Sequence, residues 1–196
     1  MQTPRLTQQI QFILEIDRLK QILRQTLLTD GSRRENSAEH SWHIAIMAMV
    51  FAEYAPPGVD LSRAIKMLLI HDLVEIDAGD TFCYDVQGNQ NKAEREEQAA
   101  IRLFGLLPSE QARELRSLWD EFEAQATITA KFAAALDRIQ PFLHNRETKG
   151  GTWRIHEVTR DQVIKRMLPV ETGTPELWDF IQQAIGECVA IGYLRE

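Results

Sequence analysis

Residues 66–80 read KMLLIHDLVEIDAGD, and the order of residue types in this stretch sets what the rest of the chain has to supply. An apolar segment, Met67 to Ile70, runs directly into His71 and Asp72, and Glu75 follows one helical turn later. Polar groups carried into such a segment lose hydration unless something pairs with them. An imidazole and a carboxylate side by side, with further carboxylates at Asp77 and Asp80, point to a cation as that partner.

Working outward, Asp60 or Ser62 is positioned to start the helix that carries His71 and Asp72, and helical character ends at Ala78-Gly79. Residues 80–91 are irregular in composition and read as a functional loop. Upstream, the apolar spacing predicts one amphipathic helix over residues 4–28, stopped at Thr29 to Ser32. Asn36 or Ser37 can cap a further helix, HSWHIAIMAMVFAEYA, with Glu39 or His40 in its first turn; its apolar character on most faces predicts burial among other helices. Downstream, residues 92–104 form a charged helix with Glu94, Glu96 and Glu97 on a solvated face, and Pro108-Ser109 opens the next. Thr127 or Thr129 caps AKFAAALDRIQPFLHN, where Pro141 is expected to kink or end the helix. A short helix at 161–168 and an amphipathic one from Pro175 close the chain. No strand pairs and no repeats are evident. The fold class expected is all-α, a single domain over residues 1–196 with roughly eight or nine helices.

Composition narrows the function. Apolar residues make up 44% and charged residues 26% of 196 residues, an ordinary soluble globular balance. A formal charge of −7 argues against a nucleic-acid partner, which would call for clustered Lys and Arg. It also requires local positive charge wherever a phosphorylated ligand binds. No apolar run reaches the roughly 20 residues of a membrane span, and the N-terminus lacks a secretory h-region. Cys83 and Cys188 fit a reducing cytoplasm rather than a disulfide framework.

Three separate apolar helices carry ionisable groups: His40 in one, His71 and Asp72 in the next, and Asp137 after Ala133 to Leu136 in a third. Core helices rarely hold so many unpaired ionisable groups. Two imidazoles and two carboxylates converging make a mixed N/O site suited to a divalent ion such as Mn, Fe, Co, Ni or Zn, with water in the open positions. His43, one turn from His40, reads as packing or as a supporting contact. His144 and His156 read as surface or structural, and Cys83 has no neighbouring base to activate it.

The order of these residues resembles the HD-domain metal-dependent phosphohydrolases, most closely the branch with the 5′-deoxynucleotidases. The resemblance rests on Arg33-x-Glu35-Asn36-x-x-Glu39-His40-Ser41, on His71-Asp72-x-x-Glu75-x-x-x-Gly79-Asp80, on Leu118-Trp119-x-Glu121-Phe122-Glu123, and on Lys131-Phe132 with Leu136-Asp137. It covers about residues 18–145, leaving 146–196 as a C-terminal helical extension packing on the domain. It implies a helical bundle with a mononuclear site, His40, His71, Asp72 and Asp137 as ligands of one divalent metal (Mn, Co, Fe, Ni, Zn or Mg), Glu75 orienting or deprotonating the attacking water, and Asp80 as a second catalytic carboxylate. It also implies Arg24 and Arg33 as substrate-binding arginines. Gln25 stands where the family's deoxynucleotidases carry tryptophan after that first arginine, a departure that bears on sugar selection.

The function expected is cytoplasmic hydrolysis of a phosphate monoester, foremost a nucleoside or deoxynucleoside 5′-monophosphate. Its rivals are phosphodiester, pyrophosphate or nucleoside triphosphate hydrolysis at the same site, and a non-catalytic regulatory protein with a structural metal. The terminal helix from Phe180 to Tyr193 and the family habit together suggest a homodimer.

Overall fold

In a computed structural model the described residues are 3–85 and 87–196; the part of the expected loop at Val86 lies outside them. The helices are α1 (Pro4–Ile16), α2 (Ser37–Val50), α3 (Leu61–Ile70), the single turn α4 (Glu75–Ala78), α5 (Lys92–Phe104), α6 (Ser109–Ala124), α7 (Ile128–Glu147), α8 (Gly151–Ile155), α9 (Arg160–Gly173) and α10 (Pro175–Ala190). Apart from α4, nine helices stand among the described residues, as an all-α reading requires. None of them is long and apolar enough to cross a membrane.

The expected helix over residues 4–28 is not one helix. α1 stops at Ile16, a 3-10 turn spans Asp17–Gln21, and the chain then extends into strand β1 (Leu23–Leu27). β1 pairs antiparallel with β2 (Arg34–Asn36), with Leu23 opposite Asn36 and Leu27 opposite Arg34. The expectation of no strand pairs is therefore corrected by this ribbon. Its cause is long-range: the Arg34 guanidinium donates to the carbonyls of Leu23 and Arg24, and the ribbon lays Arg24 against Asp72. Local periodicity contains neither contact.

The buried residues form two clusters. The larger collects Ile44, Ala48, Met67 and Leu68 with Phe132, Leu136, Val163, Met167 and Ile181, from α2, α3, α7, α9 and α10. The smaller gathers Phe12, Leu19, Leu73, Val74, Leu103, Phe104 and Trp119 around α1 and α5. The segment that opened the sequence reading crosses from one to the other. α3 ends at Ile70 rather than continuing, and His71–Val74 form a 3-10 turn before α4. His71 and Asp72 thus sit at the seam between the two cores.

Two glycines fix the architecture of that seam. Gly79 ends α4 with φ +75° and ψ 149°, a conformation open almost only to glycine, and the chain beyond it sets Asp80 on the wall of the cavity that Asp72 and Glu75 also border. Gly173, at the end of α9, faces the Lys131 carbonyl and the Ala135 side chain so closely that a Cβ would overlap them. α9 therefore lies tightly along α7. Pro141 neither ends nor replaces a turn of α7, which runs on to Glu147; the buried Phe142, His144 and Asn145 hold the last turns by packing.

Other expectations shift by position. Thr127 and Asp60, rather than their alternatives, cap α7 and α3. Asn36 caps α2 in a reciprocal box with Glu39. Burial of α2 is one-sided, because Trp42, Ile46, Met49 and Val50 are exposed. Glu96, expected on a solvated face, is buried, since α5 turns it toward the cavity beside Lys92. α9 runs from Arg160 to Gly173, longer than the 161–168 expected.

Candidate metal centre

The ribbon, the start of α2, the turn after α3 and the middle of α7 meet at one point. The capping box orients the first turn of α2 and brings in His40, which is fully buried. α3 delivers His71, and α7 delivers Asp137. His40 Nε2 lies 2.9 Å from Asp137 Oδ1, and His71 Nε2 lies 3.5 Å from the same oxygen and 3.0 Å from Asp72 Oδ1. The donor atoms of His40, His71 and Asp137 all fall within 4.8 Å of one another. Asp72 joins from the side, with its other oxygen accepting from Arg24 Nη1 at 2.7 Å.

The tautomers can be assigned from the network. His71 Nδ1 donates to the Leu68 carbonyl at 3.0 Å, so in the neutral ring Nε2 presents a lone pair to two carboxylates. That atom is buried and has no hydrogen-bond partner. Gln140 settles His40. Its Nε2 faces Glu35 Oε1 at 2.6 Å and His144 Nε2 at 3.1 Å, and His144 Nδ1 already donates to the Leu27 carbonyl at 3.0 Å. The amide nitrogen must be the donor there, so Gln140 Oε1 accepts from His40 Nδ1 at 3.1 Å. His40 Nε2 then also turns a lone pair toward Asp137. Two imidazole lone pairs aimed at one carboxylate oxygen repel unless a cation lies among them, and two nitrogens with carboxylate oxygens suit a divalent ion. The residues fit the metal.

Without an ion, a proton on His71 Nε2 answers the same demand for positive charge, and a metal would take its place. Burial would lower the His71 pKa, but Asp72 and Asp137 outweigh it and hold the imidazole well above its usual range. Burial, helped by the Arg24 charge, pulls His40 down to about 4. Asp137 is held well below the usual carboxylate range because its two histidine contacts outweigh burial. Burial pushes Glu75 well up, and the Asp72 charge adds to it; its Oε2 accepts from the Ser37 hydroxyl at 2.6 Å. Asp80 is also raised, by burial, against the pull of Arg24. A carboxyl raised in this way is better suited to proton exchange.

These groups border a cavity of about 210 Å³, walled by Arg24, His71, Asp72, Glu75, Asp80 and Asp137 together with residues of α8 and α9. Of the residues singled out from the sequence, the structure brings together Arg24, His40, His71, Asp72, Glu75, Asp80 and Asp137. Arg24 does so from a strand rather than the expected helix. Arg33 is not brought in: it is exposed, and its guanidinium grips Glu39 through two contacts of 2.6 and 2.9 Å. His43 lies 3.3 Å from Gln140 Nε2. His144, expected to be surface or structural, is buried in that same network, while His156 is exposed against Phe82. From the sequence alone, Glu35 is only part of a motif and Ser37 only a candidate cap, and Gln140, Arg138 and Arg166 have no role. Gln140 had a signal, an amide one turn beyond Asp137 on an apolar helix; Arg166 had none.

Comparison with known proteins bears on this geometry. Residues 16–178 match the HD domain family. A structure from Magnetospirillum magnetotacticum, described as a predicted metal-dependent phosphohydrolase, is 57% identical, with a TM-score of 0.94 over 98% of this chain and 96% of that one. The human 5′-deoxynucleotidase HDDC2 is 31% identical over 139 residues, 70% of this chain and 67% of its own length. The fission yeast Schizosaccharomyces pombe 5′-deoxynucleotidase hdd1 is 27% identical over 72% of this chain and 74% of its own. The lone pairs that call for a cation and the carboxyls raised beside them thus stand on a shared scaffold, and the chain belongs to the HD-domain family as a phosphohydrolase.

Proposed function

We propose that the protein hydrolyses a phosphate monoester, foremost a nucleoside or deoxynucleoside 5′-monophosphate, with His40, His71, Asp72 and Asp137 holding one divalent metal ion. The observation that carries the reading is the pair of imidazole nitrogens converging on Asp137 at the wall of a cavity lined by Arg24 and two carboxyls raised in pKa. The metal, when bound, supplies an acidified water and offsets phosphoryl charge. Glu75 and Asp80, both raised in pKa, exchange protons with the attacking water and the leaving oxygen. Arg24 turns its guanidinium from Asp72 toward the phosphate, where a planar fork matches two oxygens. The nucleotide preference is supported by the relatives named 5′-deoxynucleotidase. Gln25, on the cavity wall, is the residue through which we expect the sugar to be judged. Cys83 and Cys188 are free thiols, in keeping with a cytoplasmic enzyme. The homodimer belongs to the same reading. α10 buries Trp178, Ile181 and Ile185 in its own chain and leaves Phe180 exposed; sedimentation of a monomer alone at micromolar concentration would remove the dimer.

The test is phosphate release from nucleoside monophosphates and simple phosphate esters. EDTA-stripped protein is resupplied with Mn, Co, Ni, Zn or Mg, beside Asp72→Ala and Glu75→Ala. Metal-restored release that both substitutions abolish is expected. Stoichiometric metal binding without release from any monoester would overturn the reading.

A further inference from the structure

The cavity holds four cationic side chains, and they are not equally committed. Arg24 pairs with Asp72 at 2.7 Å and lies 3.8 Å from Glu35, and Lys92 pairs with Glu96 at 3.4 Å. Arg138 has no carboxylate within salt-bridge distance among the described residues. Its Nη1 and Nη2 donate to the Ala134 carbonyl at 3.0 Å and to Gln125 Oε1 at 3.4 Å, contacts that orient the guanidinium without neutralising it. Its Nε is buried with no partner. Arg166, on α9, comes no nearer to a carboxylate than 3.7 Å from Asp137 Oδ2, and the other oxygen of that group is taken by His40. Both arginines border the cavity, on α7 and α9, which pack closely at Gly173, and the charge of Arg166 is felt at Arg138. Two guanidiniums near enough to feel one another's charge, one with no ion pair and the other with a single long one, repel and leave donors unused. A compact anion between them relieves both costs, and phosphate or carboxylate matches the planar fork.

Position separates this pair from Arg24. Arg24 approaches the metal centre from the ribbon, against Asp72; Arg166 approaches from α9, against Asp137. A single phosphoryl group gripped by Arg24 leaves the α7–α9 pair unanswered.

We propose that Arg138 and Arg166 form a second anion-binding subsite, and that the preferred substrate is a phosphate monoester carrying a further phosphate or carboxylate group. The proposal rests on the monoesterase reading and narrows its substrate class.

Titration calorimetry on EDTA-stripped protein reads the subsite without turnover. Two ligand pairs are compared: a nucleoside 5′-monophosphate with its 3′,5′-bisphosphate, and methyl phosphate with phosphoglycolate. In at least one pair the doubly anionic member is expected to bind roughly 10–100-fold tighter, the worth of one or two charge-assisted hydrogen bonds. That ratio should fall to near one in Arg166→Gln and in Arg138→Gln/Arg166→Gln. The bisphosphate and phosphoglycolate arms tell a phosphate from a carboxylate. Arg166 is 38% exposed, so its single variant is expected to stay folded, as circular dichroism melting will check. A ratio near one in wild type, or one that survives in the double variant, would overturn the subsite. Full discrimination without phosphate release in the metal-loaded protein would instead sink the monoesterase reading and leave the subsite standing.

Discussion

The amide of Gln140 joins two groups of three side chains that look alike by composition. At its oxygen end stands His40, with His71 and Asp137; at its nitrogen end stand Glu35, His43 and His144. In each group the donor atoms lie within 4.8 Å of one another. They differ in what lies between the donors. In the second group the Gln140 nitrogen already approaches all three, at 2.6, 3.1 and 3.3 Å, filling the position a cation would take. In the first, two imidazole nitrogens face a carboxylate with no amide between them, and only a proton on His71 or a cation answers them. Residue type and proximity do not define a metal site; the hydrogen inventory does.

The largest effect should separate the two groups directly. His71→Ala removes a lone pair from the first group, and both tight binding of zinc and metal-dependent phosphate release are expected to fall to background. His144→Ala, in the second group, should leave zinc stoichiometry intact. If the two variants behave alike, the distinction fails. A simpler count applies to wild type: titration against a chelating dye should give one tightly held equivalent per chain, and two equivalents would show that the Gln140 amide swings aside for a cation.

Gln140 itself should give an intermediate effect. Gln140→Leu leaves His40 Nδ1, Glu35 Oε1 and His144 Nε2 without the partners they now have. A group that supports a metal ligand in this way is typically worth 10–100-fold in metal affinity, and each orphaned buried group costs roughly 1–3 kcal/mol of stability. Chelator competition and thermal melting measure the two separately. A drop in melting temperature with unchanged affinity would make Gln140 a packing residue and nothing more.

The two groups were also unequally legible in the sequence. His71-Asp72 with Glu75, and Asp137 behind an alanine run, announced themselves because apolar neighbours on a helix make an ionisable group conspicuous. The helices were legible for the same reason, since α5, α6 and α7 begin where charge, proline or threonine said they would. Arg24 was found as a residue but placed on the wrong element. Its strand exists because residues 34–36 pair with it, a contact made ten residues away, and nothing in ILRQTLL excludes a helix. The roles of Glu35, Gln140 and Arg166 escaped because they depend on which atoms face one another across β2, α7 and α9. Glu96 shows the converse: a charged helix face in sequence became a cavity wall once α5 was packed.

The smallest effect tests the charge of the second group. Burial pushes Glu35 up to about 7 from 4.5, against the Arg24 charge and the Gln140 hydrogen bond. With its folded pKa raised, the carboxyl holds its proton in the native state at pH values where the unfolded chain has lost it. Its contribution to stability is therefore complete below about pH 4.5, is lost as pH rises toward 7, and changes no further above that. The amplitude is at most roughly 3–4 kcal/mol at about 1.36 kcal/mol per pKa unit. His40, lowered to about 4, slopes the other way, losing stability as pH falls below its usual 6.5. Comparing metal-free wild type with Glu35→Gln cancels His40 and every other group common to both. The variant's stability relative to wild type should climb between pH 4.5 and 7 and then level off; a difference independent of pH would mean that Glu35 titrates in the folded protein as it does in the unfolded chain. That outcome would undo the comparison at its root. With a pKa of about 7, Glu35 keeps its proton in part near neutrality, whereas Asp137, held well below its usual range by its histidine contacts, stays ionised. The group that keeps its charge is the one that needs a cation.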